Sequence, residues 1–197
     1  LLVLLVEIVV VAAMGVGLSG LIARPLFSIA ATYLVVAALV IGTVIAFGLG
    51  GAAIRTEVTQ YERGWDVSGE PICDSWEEYT YEQPRFDYVW GFLAANPFVV
   101  MADATPTEFV DGYPQDVFGQ LKYGVRVAQL PPGPQRWDVC DGGNAMPPTP
   151  EEQMHGTVPS WFVGLGIQLV IAGGLFAGAW SRTRTPARRL PPGTRIA

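Results

Sequence analysis

Few residues in this chain have side chains that could do chemistry, and they are scattered. Cys73 and Cys140 are the only cysteines, His155 is the only histidine, and Glu7 is the only acid among the first fifty residues. Two cysteines and one histidine give no metal-ligand spacing, and a single histidine leaves little for acid and base work near neutral pH. There is no G-x-x-x-x-G-K-[ST] loop for a nucleotide phosphate, no H-E-x-x-H zinc helix and no G-x-S-x-G elbow. The expectation is a chain that is not an enzyme and holds no metal or cofactor of its own. Cys73 and Cys140 either pair with each other or stay free thiols, and that depends on which side of a membrane they face.

A membrane is implied by composition. Half of the residues are apolar and only 15% are charged, where a soluble domain carries about 25%. The charges are also sorted: 17 of the 18 acids and six basic residues lie between Arg55 and Thr157, while Arg24 and Arg182, Arg184, Arg188, Arg189 and Arg195 are opposed elsewhere only by Glu7. A helix rises about 1.5 Å per residue, so roughly 20 apolar residues cross a hydrocarbon core about 30 Å thick. Three stretches qualify: residues 1–22, residues 25–54 with Pro25 in the first turn, and residues 160–180 with Trp161 and Trp180 at the ends. The chain opens in apolar sequence with no initiating Met, and it is read as the C-terminal part of a longer protein.

Only Ala23-Arg24-Pro25 separates the first two spans, so residues 1–54 form an antiparallel hairpin with its turn at 23–25. Arg24 and the basic tail 181–197 then share one side, which the positive-inside rule makes cytoplasmic, with Arg24, Arg182 and Arg184 as anchors against an anionic leaflet. The acidic segment 55–159 falls outside. Within it, residues 86–104 are apolar enough to tempt a fourth span. However, the uncharged run from Tyr88 to Ala102 is short, Asn96-Pro97 breaks it, and spanning would split Arg24 from the tail. A broken interfacial or re-entrant helical segment is expected there, with a core helix of a soluble domain as the alternative. The fold class is an all-α membrane protein with three transmembrane helices and a large extracytoplasmic loop. Outside the cell a Cys73–Cys140 disulfide is the natural pairing, closing a loop that is worth roughly 4 kcal/mol on the chain-entropy model. Seven prolines between Pro131 and Pro159, with Gly142-Gly143, argue for irregular chain there.

Three polar residues in apolar surroundings are candidates for a translocation route: Glu7, Gln168 and Asn96. Seventeen residues from Arg24, Glu7 lies near the outer boundary, and an interfacial, solvated position is the plainer reading. Gln168 is read first as an interhelical hydrogen-bond partner. Small residues at helical spacing, Gly15 with Ser19 and Gly174 with Gly178, let helix backbones approach, within one subunit or at a dimer face. The arginine-rich tail is read as membrane anchoring, and no nucleic-acid partner is expected.

The order of these features resembles the C-terminal half of a bacterial type-2 ATP-binding-cassette permease, the exporter class. The residues that carry it are a span ending Gly15-Val-Gly-Leu-Ser-Gly-Leu-Ile-Ala-Arg-Pro25, a partner starting Leu26-Phe-Ser-Ile, a segment Asn96-Pro-Phe-Val-Val-Met-Ala-Asp103, and a last span with a basic tail. The resemblance implies spans four to six of a six-helix unit in the plasma membrane. It places residues 88–102 in an outer re-entrant element and Arg24 near the ATPase. Its implied partners are a separate ATPase subunit, which carries the ATP, and a second permease, identical or homologous. The long outer loop departs from that pattern and supports an alternative, a membrane-anchored extracellular sensing or binding module.

Overall fold

A computed structural model describes residues 1–140 and 148–184; Gly142, Gly143 and the tail arginines Arg188, Arg189 and Arg195 lie outside the described residues. In chain order the elements are α1 (Leu2–Leu21), α2 (Pro25–Ala37), a π turn (Ala38–Gly42), α3 (Thr43–Ala53), β1 (Arg55–Trp65), β2 (Pro71–Pro84), a 3-10 turn (Phe86–Tyr88), α4 (Trp90–Ala94), α5 (Pro97–Ala104), β3 (Phe109–Val110), β4 (Tyr113–Pro114), α6 (Val117–Val127), β5 (Gln135–Trp137), α7 (Pro150–Met154) and α8 (Ser160–Thr183). Three helices are long and apolar enough to cross a membrane: Leu2–Leu21, Pro25–Ala53 and Ser160–Thr183. The residue contacts fall into two compact units. One comprises Leu1–Ala38 with the chain from Gly166 onward, and the other Leu39–Leu165.

In the first unit α1 is apolar all round, and packing selects one stripe of it. Glu7, Val10, Met14, Gly17 and Leu18 are buried, the spacing of a single helical face. Leu4, Leu5, Ile8, Val9 and Val16 on the other faces stay exposed, a surface that lipid covers at no cost and water does not. The helix ends at Ile22, whose N–H still reaches Leu18 O at 3.0 Å. Extended backbone at Ile22 and Arg24 then turns the chain into α2, which opens on Pro25. Gly17 and Gly20 give α8 its close approach, because a Cβ on Gly17 would stand 2.8 Å from Leu175 Cβ and one on Gly20 2.6 Å from Ala179 Cβ. Arg182 closes this contact by donating to Leu21 O at 2.7 Å.

The second unit departs from an all-α fold. Its residues 55–84 form a long antiparallel hairpin, and β5 adds to β1 in parallel to make a three-stranded sheet in the order β2-β1-β5. The overall content remains mostly helical. The strands arise because Thr56, Val58, Thr59, Tyr61, Trp76, Tyr79, Thr80 and Tyr81, the β-branched and aromatic types that suit a pleated surface, recur among charged residues. The turn is set by Asp66, whose Oδ1 accepts from Ser68 N at 2.8 Å and Glu70 N at 2.9 Å, and by Gly69 at φ +81°. Composition-level reading of an acidic, polar segment hides such a hairpin.

The Cys73–Cys140 disulfide is present. It joins β2 to the segment after β5, and the same place is tied by Arg63, which pairs with Asp138 through Nε at 3.1 Å and Nη2 at 3.2 Å. The guanidinium groups of Arg63 and Arg136 lie 3.7 Å and 4.0 Å from the Trp76 ring centre. The proline-rich stretch is not wholly irregular, since α7 forms on a Thr149/Glu152 capping box with Pro150 in its first turn. In α6, Val125 enters the core while Val117 and Phe118 stay exposed.

The core of this unit is Ala94, Ala95, Val99, Val100, Ala102 and Val125. These small residues let the first turn of α8 come close. A side chain on Gly164 would strike the Ala94 carbonyl and Val100. Overpacking of this kind costs roughly 1–3 kcal/mol, and backbone gives way less readily than a side chain. Gly164→Val should therefore lower the melting temperature of the detergent-solubilised chain, whereas Gly124→Ala, whose Cβ meets nothing within 4 Å, should not. Equal melting temperatures for the two variants would show that the close approach is not a constraint.

Candidate functional site

The strongest candidate site is the broken helix α4–α5, which is held at both ends. Pro97 cannot donate a backbone hydrogen bond, so the chain restarts a helix there. Asn96 caps it by accepting from Phe98 N at 3.0 Å. The same amide turns its Nδ2 toward the second long helix, donating to Val40 O at 2.8 Å and Thr43 Oγ1 at 3.1 Å. Val40 sits in the π turn Ala38–Gly42, where the wider winding disturbs the regular i to i−4 pairing and leaves carbonyls available. Thr43 is itself held by donating to Leu39 O at 2.6 Å. Asn96, 3% exposed, is thus a strut between the helix break and an irregular turn in an apolar helix.

At the other end is Asp103 of α5, whose side chain has no exposed surface. Its Oδ1 accepts from Arg126 Nε at 2.8 Å, and its Oδ2 accepts from Ser160 Oγ at 2.8 Å and Trp161 N at 3.0 Å. The last two are groups of the first turn of α8, where backbone N–H groups have no helical partner and a carboxylate is favoured. Arg126 completes the knot through Nη1, which reaches Thr157 O and Oγ1 at 3.3 Å each. Lys122, on the same helix, donates to Thr105 O at 2.6 Å, and burial pulls its pKa below the ordinary lysine value. One carboxylate therefore joins α5, α6 and α8.

Around the helix break the end of α3 is closed by the chain leaving β2. The Arg85 N–H reaches Ile54 O at 2.8 Å and Gly51 O at 3.2 Å, and Phe86 stacks on Phe47 with ring centres 4.9 Å apart. Arg85 is paired with Asp87 through two hydrogen bonds of 2.8 and 2.6 Å. Its guanidinium holds the Asp87 carboxyl below the usual carboxylate range.

Glu7 and Gln168 belong to the first unit. Gln168 has no exposed surface and Glu7 only 4%, and the two side chains face each other across the α1–α8 contact. Glu7 is thus covered by protein and not solvated. Counting residues from Arg24 gave its depth along α1 but could not show that α8 covers it. Of the small residues singled out, Gly15 faces Thr32 Cγ2 at 3.5 Å and Gly178 faces Leu21 Cδ2 at 3.2 Å. Ser19 bonds back to Val16 O in its own helix, and Gly174 meets nothing within 4 Å. Arg24 is exposed, with Phe27 beneath it at 5.9 Å, and Arg184 lies 5.0 Å from the Trp180 ring centre.

Among the described residues no group of three or more His, Cys, Asp or Glu is placed to hold a metal ion. The arrangement fixes how a broken helix meets two apolar helices. The sequence signal for Asp103 is a lone acid near the end of an apolar run, six residues after Pro97. Comparison with protein-family models, with curated proteins and with solved structures found no match for this chain.

Two outcomes follow from this geometry. Removing one partner of a buried pair costs about 3–5 kcal/mol, while replacing both by apolar groups costs much less. Asp103→Leu and Arg126→Leu should each lower the melting temperature more than the double variant does, and an additive loss would contradict the pairing. The second concerns Asp138, held below the usual carboxylate range chiefly by its hydrogen bond from Arg63. A depressed folded-state pKa gives stability that is present above the unfolded value of about 3.9 and is lost as pH falls through the folded one. With the disulfide reduced, the environment of Trp76 should hold steady from neutral pH down to about pH 5 and change below about pH 4. Near-ultraviolet circular dichroism would report it.

Proposed function

We propose that this chain is the permease, or membrane subunit, of an ATP-binding-cassette exporter and supplies part of the translocation route. In this reading it is the C-terminal part of the subunit in a bacterial plasma membrane. Residues 55–159 lie outside, the tail 181–197 is cytoplasmic, and α4–α5 is the outer re-entrant element. A separate ATPase subunit binds and hydrolyses ATP, and a second permease, identical or homologous, completes the route.

The observation that carries the reading is the double attachment of α4–α5. Asn96 ties its start to the π turn and Asp103 ties its end to the first turn of α8. A transporter works by moving between packings that differ by a few kcal/mol. An element joined to two apolar helices by hydrogen bonds, one of them at a π turn, can register such a change where a loosely attached loop cannot. Glu7 and Gln168, buried at a helix contact, remain the polar candidates inside the bundle.

The hairpin supports a second reading. A disulfide-closed ribbon with both faces exposed along β2 suits a membrane-anchored module that binds at the outer face. Extraction of the full-length protein in mild detergent separates the two. The exporter reading expects an ATPase chain to co-purify and vesicles holding both chains to move substrate only with ATP. A chain that retains no ATPase and supports no ATP-dependent transport would remove the exporter reading and leave the module.

A further inference from the structure

The edge strand β2 has a feature that neither span packing nor the helix lock uses. Its pairing with β1 is unbroken from Arg55↔Pro84 to Arg63↔Trp76, and the only register shift lies beyond, between Arg63 and Gly64. In the sheet order β2-β1-β5 its other side has no strand beside it among the described residues. The stretch from Trp76 to Gln83 therefore presents alternate backbone N–H and C=O groups outward, the template that another chain can extend. Glu77, Glu78, Tyr79, Thr80 and Glu82 are exposed, so both faces of the strand are open.

Natural edges are guarded by charged side chains, lysine above all, by prolines or bulges, or by a covering element. Between Trp76 and Gln83 there is no lysine and no proline. The charge here is all of one sign. The hairpin from Arg55 to Pro84 carries eight acids and two arginines, and both arginines are on β1. Glu57 stands directly opposite Glu82, and Glu62 opposite Glu77. Like charges directly opposite one another destabilise a sheet. Arg55 relieves one pair at 3.6 Å, across an exposed gap, while Arg63 is turned away to Asp138. Such an edge repels a second copy of itself, because strand pairing would bring more glutamates together. A strand bearing lysine or arginine would meet Glu78 and Glu82 on one face and Glu77 on the other. It would also find Tyr79, half-exposed, as a ring on which a cation can rest.

We propose that the free edge of β2, from Trp76 to Gln83, is a docking edge for an extended, basic segment of a partner protein, which adds to the hairpin as a further strand. Backbone hydrogen bonds supply the attachment and the glutamates select the charge, as in other cases of strand addition. The proposal does not depend on whether the chain is a permease, so the two can fail separately.

The full chain in detergent, with its disulfide intact, would be mixed with an alternating Lys-Thr octapeptide or its Glu-Thr counterpart. Hydrogen exchange would then be followed at the amides of Trp76–Gln83. The Lys-Thr peptide should slow exchange there in proportion to its occupancy, and the Glu-Thr peptide should not. Raising the salt should weaken binding, and Glu78→Lys with Glu82→Lys, both exposed, should lower affinity roughly tenfold or more. Absence of binding, binding with no slowing at β2, equal binding of the acidic peptide, or unchanged affinity in the double variant would each overturn the proposal. So would amides at Trp76–Gln83 already protected by self-association before peptide is added.

Discussion

Asp103 has none of its side chain exposed, and a carboxylate there is tolerated only if its oxygens are filled. Removing an ion from water costs several kcal/mol even after relaxation, and the deficit is met only by good geometry and additional hydrogen bonds. Arg126, Ser160 and the Trp161 N–H provide these from two different helices. If any partner were missing, the charge would be stranded in the core. The small-residue core around it, with Ala94, Val100 and Gly164 in close contact, can be tight because this knot fixes where α5, α6 and the start of α8 lie.

At its other end the broken helix is attached by a different kind of bond. Asn96 is neutral and satisfies a cap, a backbone carbonyl and a hydroxyl at once. Neutral bonds of this sort contribute about 1 kcal/mol each, whereas those to a charged group contribute about 1.5–3 kcal/mol. The element is accordingly held hard at Asp103 and more gently at Asn96. A rearrangement of the helix break would release the π turn before it disturbed the first turn of α8.

How much of this could be read beforehand depended on the range of the signal. The long apolar helices were legible because hydropathy over twenty residues is a local property, and Asn96-Pro97 marked its own break. Glu57, Glu62, Glu77 and Glu78 give the hairpin segment the look of solvated loop, although β-branched and aromatic residues recur in it. Asp103 and Arg126 stand 23 residues apart, and nothing in either neighbourhood announces the other. Distance from Arg24 gives the depth of Glu7 along one helix, while its partner Gln168 lies far along the chain. Partners of that kind are decided by tertiary packing, which no window of sequence contains.

The Cys73–Cys140 bridge also has a consequence for covalent connectivity. The helix break, α6 and most of the segment around them lie between the two half-cystines, inside a ring of chain with a sequence separation of 67. Two of the apolar spans precede that ring and the third follows it. A protease that cut the backbone anywhere from residue 74 to 139 would leave two fragments, each with at least one apolar span, still joined through sulfur. The nicked protein would keep its mass until a reductant was added, so the exposed segment can be cleaved without the last helix parting from the first two.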